Sequence, residues 1–302
     1  DPELSLTASI SWELDLWGNL RWARDHSTAG FLASVENCRA VKMGLVAQVA
    51  QSYFELMALD NELAIVRRTL EARREGVRLA EIRFKGGLTS EIVFQQAKVE
   101  LAKTATMVPD LERRISLKES EIALLTGDFP YAVNRNVLPE EIQLPDALPL
   151  GLPSTLLERR PDIRKAEREL MAAHAEVGLA YTNMFPRLAL TATLGAESET
   201  LRDLLKSPYS YLAGNLLSPL FAMGKNRAAL KAKRAAYEGA VAEYEKTVLT
   251  AFKETHNAII NFNKIKDIYE SRRQLAEASR TAVELAQLQY INGVIGYLDL
   301  LD

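Results

Sequence analysis

Two periodicities divide this chain. Over residues 4–16 the side chains alternate: Leu4, Leu6, Ala8, Ile10, Trp12, Leu14 and Leu16 share one parity, and Ser5, Thr7, Ser9, Ser11, Glu13 and Asp15 the other. Period two is the signature of a β-strand with one apolar and one polar face. Leu188, Leu190, Ala192 and Leu194 repeat the pattern against Thr191 and Thr193, and residues 209–218 form a weaker third candidate. Each run is close to the ~9–11 residues that a tilted strand needs to cross a bilayer. Trp12, Trp17, Trp22, Tyr209 and Tyr211 cluster around these runs, as membrane-interface aromatic girdles do. Alternation alone fits equally a small soluble sheet resting one face on a core.

Elsewhere the period is helical. Val49, Leu56, Leu63, Leu70, Val77 and Phe84 recur every seven residues, with Leu45, Leu59, Val66 and Ala80 on a second seam interrupted by Ser52 and Arg73. Sustained heptads predict coiled-coil packing. A single helix over residues 25–84 is ~90 Å long at 1.5 Å per residue, so it belongs to a rod or a tall assembly. A second long helix is predicted from about Ala228 to Tyr290, with a smaller seam of Ala251, Ala258, Ile265, Ala276 and Ala286. Small seam residues allow close approach and are compatible with a wall of helices.

These helices are copies of one unit. Gly87 and Gly293 lie 206 residues apart, and the same offset takes Gly18 to Gly224, Arg21 to Arg227, Glu71 to Glu277, Arg74 to Arg280 and Leu79 to Leu285. A repeat read this way divides the chain into a first copy (1–130), a proline-rich linker (131–153, with prolines at 139, 145, 149 and 153) and a second copy (154–302). Projected back by the offset, the start of the second copy near Ser154 falls about fifty residues before residue 1. The second copy likewise stops at the partner of Gln96. The expectation is a fragment, with any export signal outside it.

The punctuation agrees. Gly86-Gly87 and Gly293 are placed to stop the long helices, and a helical pattern resumes directly, so each copy ends in a helical hairpin. Thr89 or Ser90 is placed to cap the returning helix. Pro109 inside that helix is expected to kink it, and Pro161 suits a first helical turn.

Composition adds mainly exclusions. With 37 basic and 40 acidic residues and a formal charge of −3, there is no basic face to attract nucleic acid. One cysteine, Cys38, supports no disulfide framework. No apolar run reaches the ~18 residues of a spanning helix. No nucleophile elbow, Walker loop or dinucleotide fingerprint occurs, and His26, His174 and His256 are scattered, so neither an enzyme, a cofactor nor a metal site is expected. The paired arginines interleaved with glutamates read as solvated helix faces. Beyond the second glycine turn, Leu298 and Asp302 share a helix face at i and i+4. Their partners in the first copy are Ile92 and Gln96. In a symmetric oligomer Asp302 becomes a ring of carboxylates able to select or gate ions.

Four segments in order carry a resemblance: Ser11-Trp12-Glu13-Leu14-Asp15-Leu16-Trp17-Gly18, Arg83-Phe84-Lys85-Gly86-Gly87-Leu88-Thr89-Ser90, Leu156-Leu157-Glu158-Arg159-Arg160-Pro161-Asp162-Ile163 and Tyr297-Leu298-Asp299-Leu300-Leu301-Asp302. The whole chain resembles the outer membrane efflux proteins, the TolC-like factors, and especially the lipoprotein branch serving resistance-nodulation-division pumps. The resemblance implies a mainly α fold with β strands, internally duplicated and trimeric. Its helical hairpins would form an α-barrel in the periplasm, and its strands would join a shared transmembrane β-barrel in outer-membrane lipid. It implies a passive export duct for drugs or other small molecules, partnered by a periplasmic adaptor and an inner-membrane pump. On that basis Gly86, Gly87, Leu88, Thr89 and Ser90 look like one adaptor site and Gly293, Val294, Ile295 and Gly296 a second. Leu298, Asp302 and Tyr297 match the closed periplasmic gate. A lipid-bearing N-terminal cysteine and a first barrel strand, which the family pattern carries, are expected to lie outside these residues. The competing reading of the residues alone is a soluble coiled-coil scaffold or adaptor.

Overall fold

A computed structural model describes residues 4–135, 158–198, 200, 202, 206, 208–219 and 221–296. The elements run β1 (Leu4–Leu14), α1 (Asn19–Lys85), α2 (Glu91–Thr126), α3 (Pro161–Thr182), β2 (Arg187–Ser198), β3 (Pro208–Leu217) and α4 (Met223–Ile291). All three strands lie where alternation places them. The long helices begin some six and five residues earlier than their heptads announce. The start near Ser154 and most of the proline-rich linker fall outside the described residues. The chain divides into two compact units, Asp1–Ala40 with Leu150–Thr255, and Val41–Pro149 with His256–Asp302. The boundaries of this spatial division cut through α1 and α4, whereas those of the sequence repeat fall between helices.

In the first unit the sheet is antiparallel in the order β1-β2-β3. Its register brings like parities together: Leu6 faces Ala196, Ile10 faces Ala192, Trp12 faces Leu190, and Leu188 faces Leu216. Ser9 and Ser11 meet Thr193 and Thr191 on the opposite face. Because side chains alternate across the pleat, one face is aliphatic and the other hydroxyl-rich. The aliphatic face is largely open, with Leu6 60% and Ile10 75% exposed, although Ala196 is buried.

The chain passes from β1 into α1 through Asp15. Its carboxylate accepts the backbone N–H groups of Leu20 (2.9 Å) and Arg21 (3.1 Å), two donors that a helix start otherwise leaves unpaired. Burial opposes ionisation of Asp15, but these N–H donors and the Arg21 guanidinium outweigh it and hold the carboxyl below its ordinary range. Gly18, with φ +78°, makes the turn.

α3 touches α1 along one side and α4 along the other. Toward α1, Asn19 donates to Thr182 Oγ1 (2.8 Å), and the Trp22 ring fills the space of an absent side chain at Gly178. Further along, Arg164 pairs with Glu36 (2.9 Å). Toward α4, Asn226 donates to the Asn183 carbonyl (2.9 Å), Lys233 pairs with Glu176 (2.7 Å) and Arg160 with Glu254 (2.6 Å). Both series run in opposite senses along the two helices, so α3 is antiparallel to each. The arginine–proline–aspartate motif thus has a structural use. Pro161 opens α3, Ile163 is 2% exposed against the helices, and Arg160 and Arg164 reach the two flanking helices.

In the second unit α1 and α2 form an antiparallel hairpin. Leu56, Leu59, Leu63 and Val66 pack with Leu111, Ile115 and Ile122, and Val133 closes the cluster. The predicted seams are therefore real contacts. The polar interruption at Ser52 is itself buried and donates to Glu121, which Lys118 also holds. The matching heptad on α2 (Ala97, Thr104 and Leu111 buried at sevenfold spacing) has a threonine in mid-seam, which conceals it in the sequence. α2 continues through Pro109.

α4 differs. None of its residues 256–285 is buried, and Ile265, Tyr269 and Leu275 are all more than half exposed. Of the expected second seam only Ala251 is buried. The positions 206 residues earlier in α1 are the ones α2 covers.

Candidate functional site

The two glycine turns are the same structure. α1 ends where Gly87 (φ +71°) lets Leu88 N–H donate to the Arg83 carbonyl (2.8 Å) and Gly87 N–H to Phe84 (2.9 Å). α4 ends where Gly293 (φ +73°) lets Val294 N–H donate to Gln289 (2.9 Å) and Gly293 N–H to Tyr290 (3.0 Å). Every donor and acceptor is displaced by 206, and both turns are Schellman closures. In that closure the residue after the glycine normally folds back on the helix. Here Leu88 is 73% exposed and Val294 71% exposed, leaving an apolar knob at each turn. Ser90 occupies the cap position of α2, yet its side chain makes no capping bond, in contrast to the sequence expectation.

Beneath the turns the second copy is fastened to the first. Tyr290 is buried with Ala80 and Ala97, and Ile295 packs on this cluster. Arg83 donates to the Tyr290 carbonyl (3.0 Å) with its guanidinium 4.8 Å from the Tyr290 ring centre. Phe84 stacks on Phe94 at 6.0 Å. Two alanines at the seam make room for the tyrosine ring. Sequence reading missed this fastening, since Arg83 sits among charged residues and Tyr290 occupies an ordinary heptad position. Tyr297, Leu298 and Asp302, expected at the gate, lie outside the described residues.

The aromatic residues do not share one sheet face. Trp12 lies on the aliphatic face opposite Leu190. Trp17 sits beyond the strand, stacked on Phe185 at 4.8 Å and donating to the Pro186 carbonyl (2.8 Å). Tyr209 and Tyr211 pair with Gly195 and Thr193, on the hydroxyl-rich face. Strand parity therefore separates both tyrosines from the tryptophan they were grouped with. Among the described residues no group of histidine, cysteine and carboxylates could hold a metal, and no helix is long and apolar enough to cross a membrane. Neither statement bears on a β-barrel.

An apolar-faced sheet, two long helices and matched glycine closures at a fixed offset thus lie on one chain. A sequence model described as "Outer membrane efflux protein" matches residues 2–128 and 152–302. The chain belongs to the outer membrane efflux protein family. Among its relatives, outer membrane protein OprJ of Pseudomonas aeruginosa is 35% identical over 301 residues, covering 96% of this chain and 61% of OprJ. The toluene efflux pump outer membrane protein TtgI of Pseudomonas putida is 31% identical, covering 100% of this chain and 65% of its own. The chain thus spans somewhat under two thirds of the length of these relatives. In structure it is similar to the outer-membrane channel OprN, with a TM-score of 0.91 at 28% identity over 100% of this chain and 74% of that one. The Campylobacter jejuni CmeC outer membrane channel gives 0.91 at 26% identity over 99% and 64%. This outer membrane efflux protein accordingly has the TolC-like, mainly α, internally duplicated fold, and its place is the outer membrane. The family is one of transport channels, not of enzymes.

Proposed function

We propose that this chain is the outer-membrane duct of a tripartite efflux system, a passive channel through which drugs or other small molecules leave the periplasm. Three copies share one β-barrel, with the aliphatic sheet face toward lipid and the hydroxyl face toward the lumen. An adaptor docks at the Gly86–Ser90 and Gly293–Gly296 turns, and a pump of the resistance-nodulation-division type drives export. The observation carrying this reading is the sheet, whose register gathers the aliphatic side chains on one face where, among the described residues, Leu6, Ile10, Leu194 and Leu212 stay 60–75% exposed. Exposed apolar area of that kind marks an interaction surface, and open edges in lipid require closure with further strands. The uncovered seam of α4 supports assembly in the same way, and the apolar knobs Leu88 and Val294 support docking at the turns. Tyr297, Leu298 and Asp302 form the constriction, opened by movement of the hairpin helices.

The test is conductance of the full-length protein in a planar bilayer. It should show a low-conductance resting state that Asp302→Ala raises or makes less cation-preferring. An unchanged current contradicts the gate assignment.

A further inference from the structure

Where the strands give way to α4, a cavity of about 440 Å³ is lined by residues from the α3–β2 turn, the end of β3 and the start of α4. Two cationic residues line it, Arg187 and Lys225. Neither forms an ion pair among the described residues. Arg187 is held instead by a neutral group, donating to Asn183 Oδ1 at 2.7 Å. Asn183 is fixed in turn, since Asn19 also donates to its Oδ1 (3.1 Å) and Asn226 to its carbonyl (2.9 Å). The guanidinium is therefore oriented without being neutralised, and its remaining N–H groups stay available. Two uncompensated like charges in one cavity repel each other, and an anion between them removes that repulsion. The Ser218 hydroxyl and the Asn226 amide add neutral donors, while Phe185 and Leu217 supply an apolar floor.

We propose that this cavity binds an organic oxyanion of the phosphate type, its charged oxygens taken by Arg187 and Lys225 and its apolar body resting on Phe185 and Leu217. A guanidinium fork fits such oxygens two at a time, and the volume lies within the ~300–1,000 Å³ of small-ligand sites. Arg187 opens β2 on the parity of Thr191 and Thr193. In the duct reading it therefore faces the lumen. The role of the site rests on that reading, but its existence does not. Occupancy would make the foot of the barrel a resting place for anionic amphiphiles, set apart from the carboxylates expected at the gate.

The experiment titrates phenyl phosphate into the detergent-solubilised protein by calorimetry, with phenol as the uncharged control. Saturable binding is expected for phenyl phosphate and none for phenol. Arg187→Gln and Lys225→Gln should each weaken it about threefold or more, and the pair about tenfold or more. Lys225 is exposed, so its variant folds regardless of what happens at Arg187. Competition by inorganic phosphate identifies a dissolved solute as the natural occupant. Competition by phosphatidylglycerol, but not phosphatidylcholine, identifies a lipid headgroup. Either outcome supports an oxyanion site. Undiminished binding in the double variant, or equal binding of phenol, overturns the proposal. No current is read, so failure here is distinct from failure of the duct reading.

Discussion

Tyr209 occupies the space that a side chain at Gly195 would need: a Cβ built there lies 2.4 Å from the tyrosine Cζ. The two residues face each other across β2 and β3, and Gly195 faces Thr7 across β2 and β1. The tyrosine therefore reaches over the middle strand, with its hydroxyl 3.3 Å from Thr7 Oγ1. One row of side chains spans all three strands and marks their register. Gly195→Ala should displace the ring and destabilise the protein by ~1–3 kcal/mol, as overpacking does. Tyr209→Phe, which removes only the hydroxyl, should cost ~0.5–1.5 kcal/mol. Denaturation of the detergent-solubilised variants measures both, and an alanine at 195 without cost would show that the row does not pin the sheet.

The glycine closures make a paired prediction. Among the described residues no atom beyond the chain neighbours lies within 4 Å of a Cβ at Gly87 or Gly293, so substitution there meets backbone strain at positive φ. Alanine should cost ~1–2 kcal/mol at either site. Asparagine, which tolerates that conformation, should cost less. Equal costs at 87 and 293 in urea unfolding would agree with two copies of one turn. A large difference would set the copies apart.

Leu111→Ala removes a side chain that is 2% exposed in the α1–α2 seam and should cost ~2–5 kcal/mol. Ile265→Ala, at a residue 61% exposed, should cost under ~0.5 kcal/mol in the chain alone. Amide exchange supplies the same contrast without mutation: residues 256–285 should exchange well before residues 52–80. If assembly covers the α4 seam, this difference should shrink in the assembled protein.

The pairing of Arg160 with Asp162 at the start of α3 should make stability depend on pH. The bond from Arg160 holds the Asp162 carboxyl below the ordinary aspartate range, against the opposing effect of burial, with help from backbone N–H groups. A folded pKa lower than the unfolded one gives stabilisation that is complete above pH ~4. It is lost as pH falls through the folded value. Arg160, raised by the same bonds, stays charged throughout. Acid unfolding of wild type and Arg160→Gln should therefore converge at low pH, separate as pH rises toward ~4 and keep a constant difference above it. A difference that stays constant down to the lowest pH would remove Asp162 from the account.

Much of this fold was legible because burial follows period. Ile10 and Ala192 alternate with serine and threonine, and Leu56 and Leu63 keep a sevenfold beat. Gly87 and Gly293 share an offset that their hydrogen bonds reproduce. What escaped reading depends on pairs that no period announces. Tyr209 and Tyr211 carry the same aromatic signal as Trp12, but only the register reveals that they face the other way. Arg83 and Tyr290 meet because the end of α4 packs on the α1–α2 hairpin of the other copy. Arg187 and Lys225 are ordinary surface cations until the turn before β2 and the start of α4 bring them into one cavity.

In the duct reading the sheet and long helices of one chain are completed by other copies in a lipid-embedded tube. Native mass spectrometry of the complete protein, released from detergent, should then show a particle of three copies that aggregates when detergent is withdrawn. A stable single copy, soluble without detergent and with its strands intact, would contradict it.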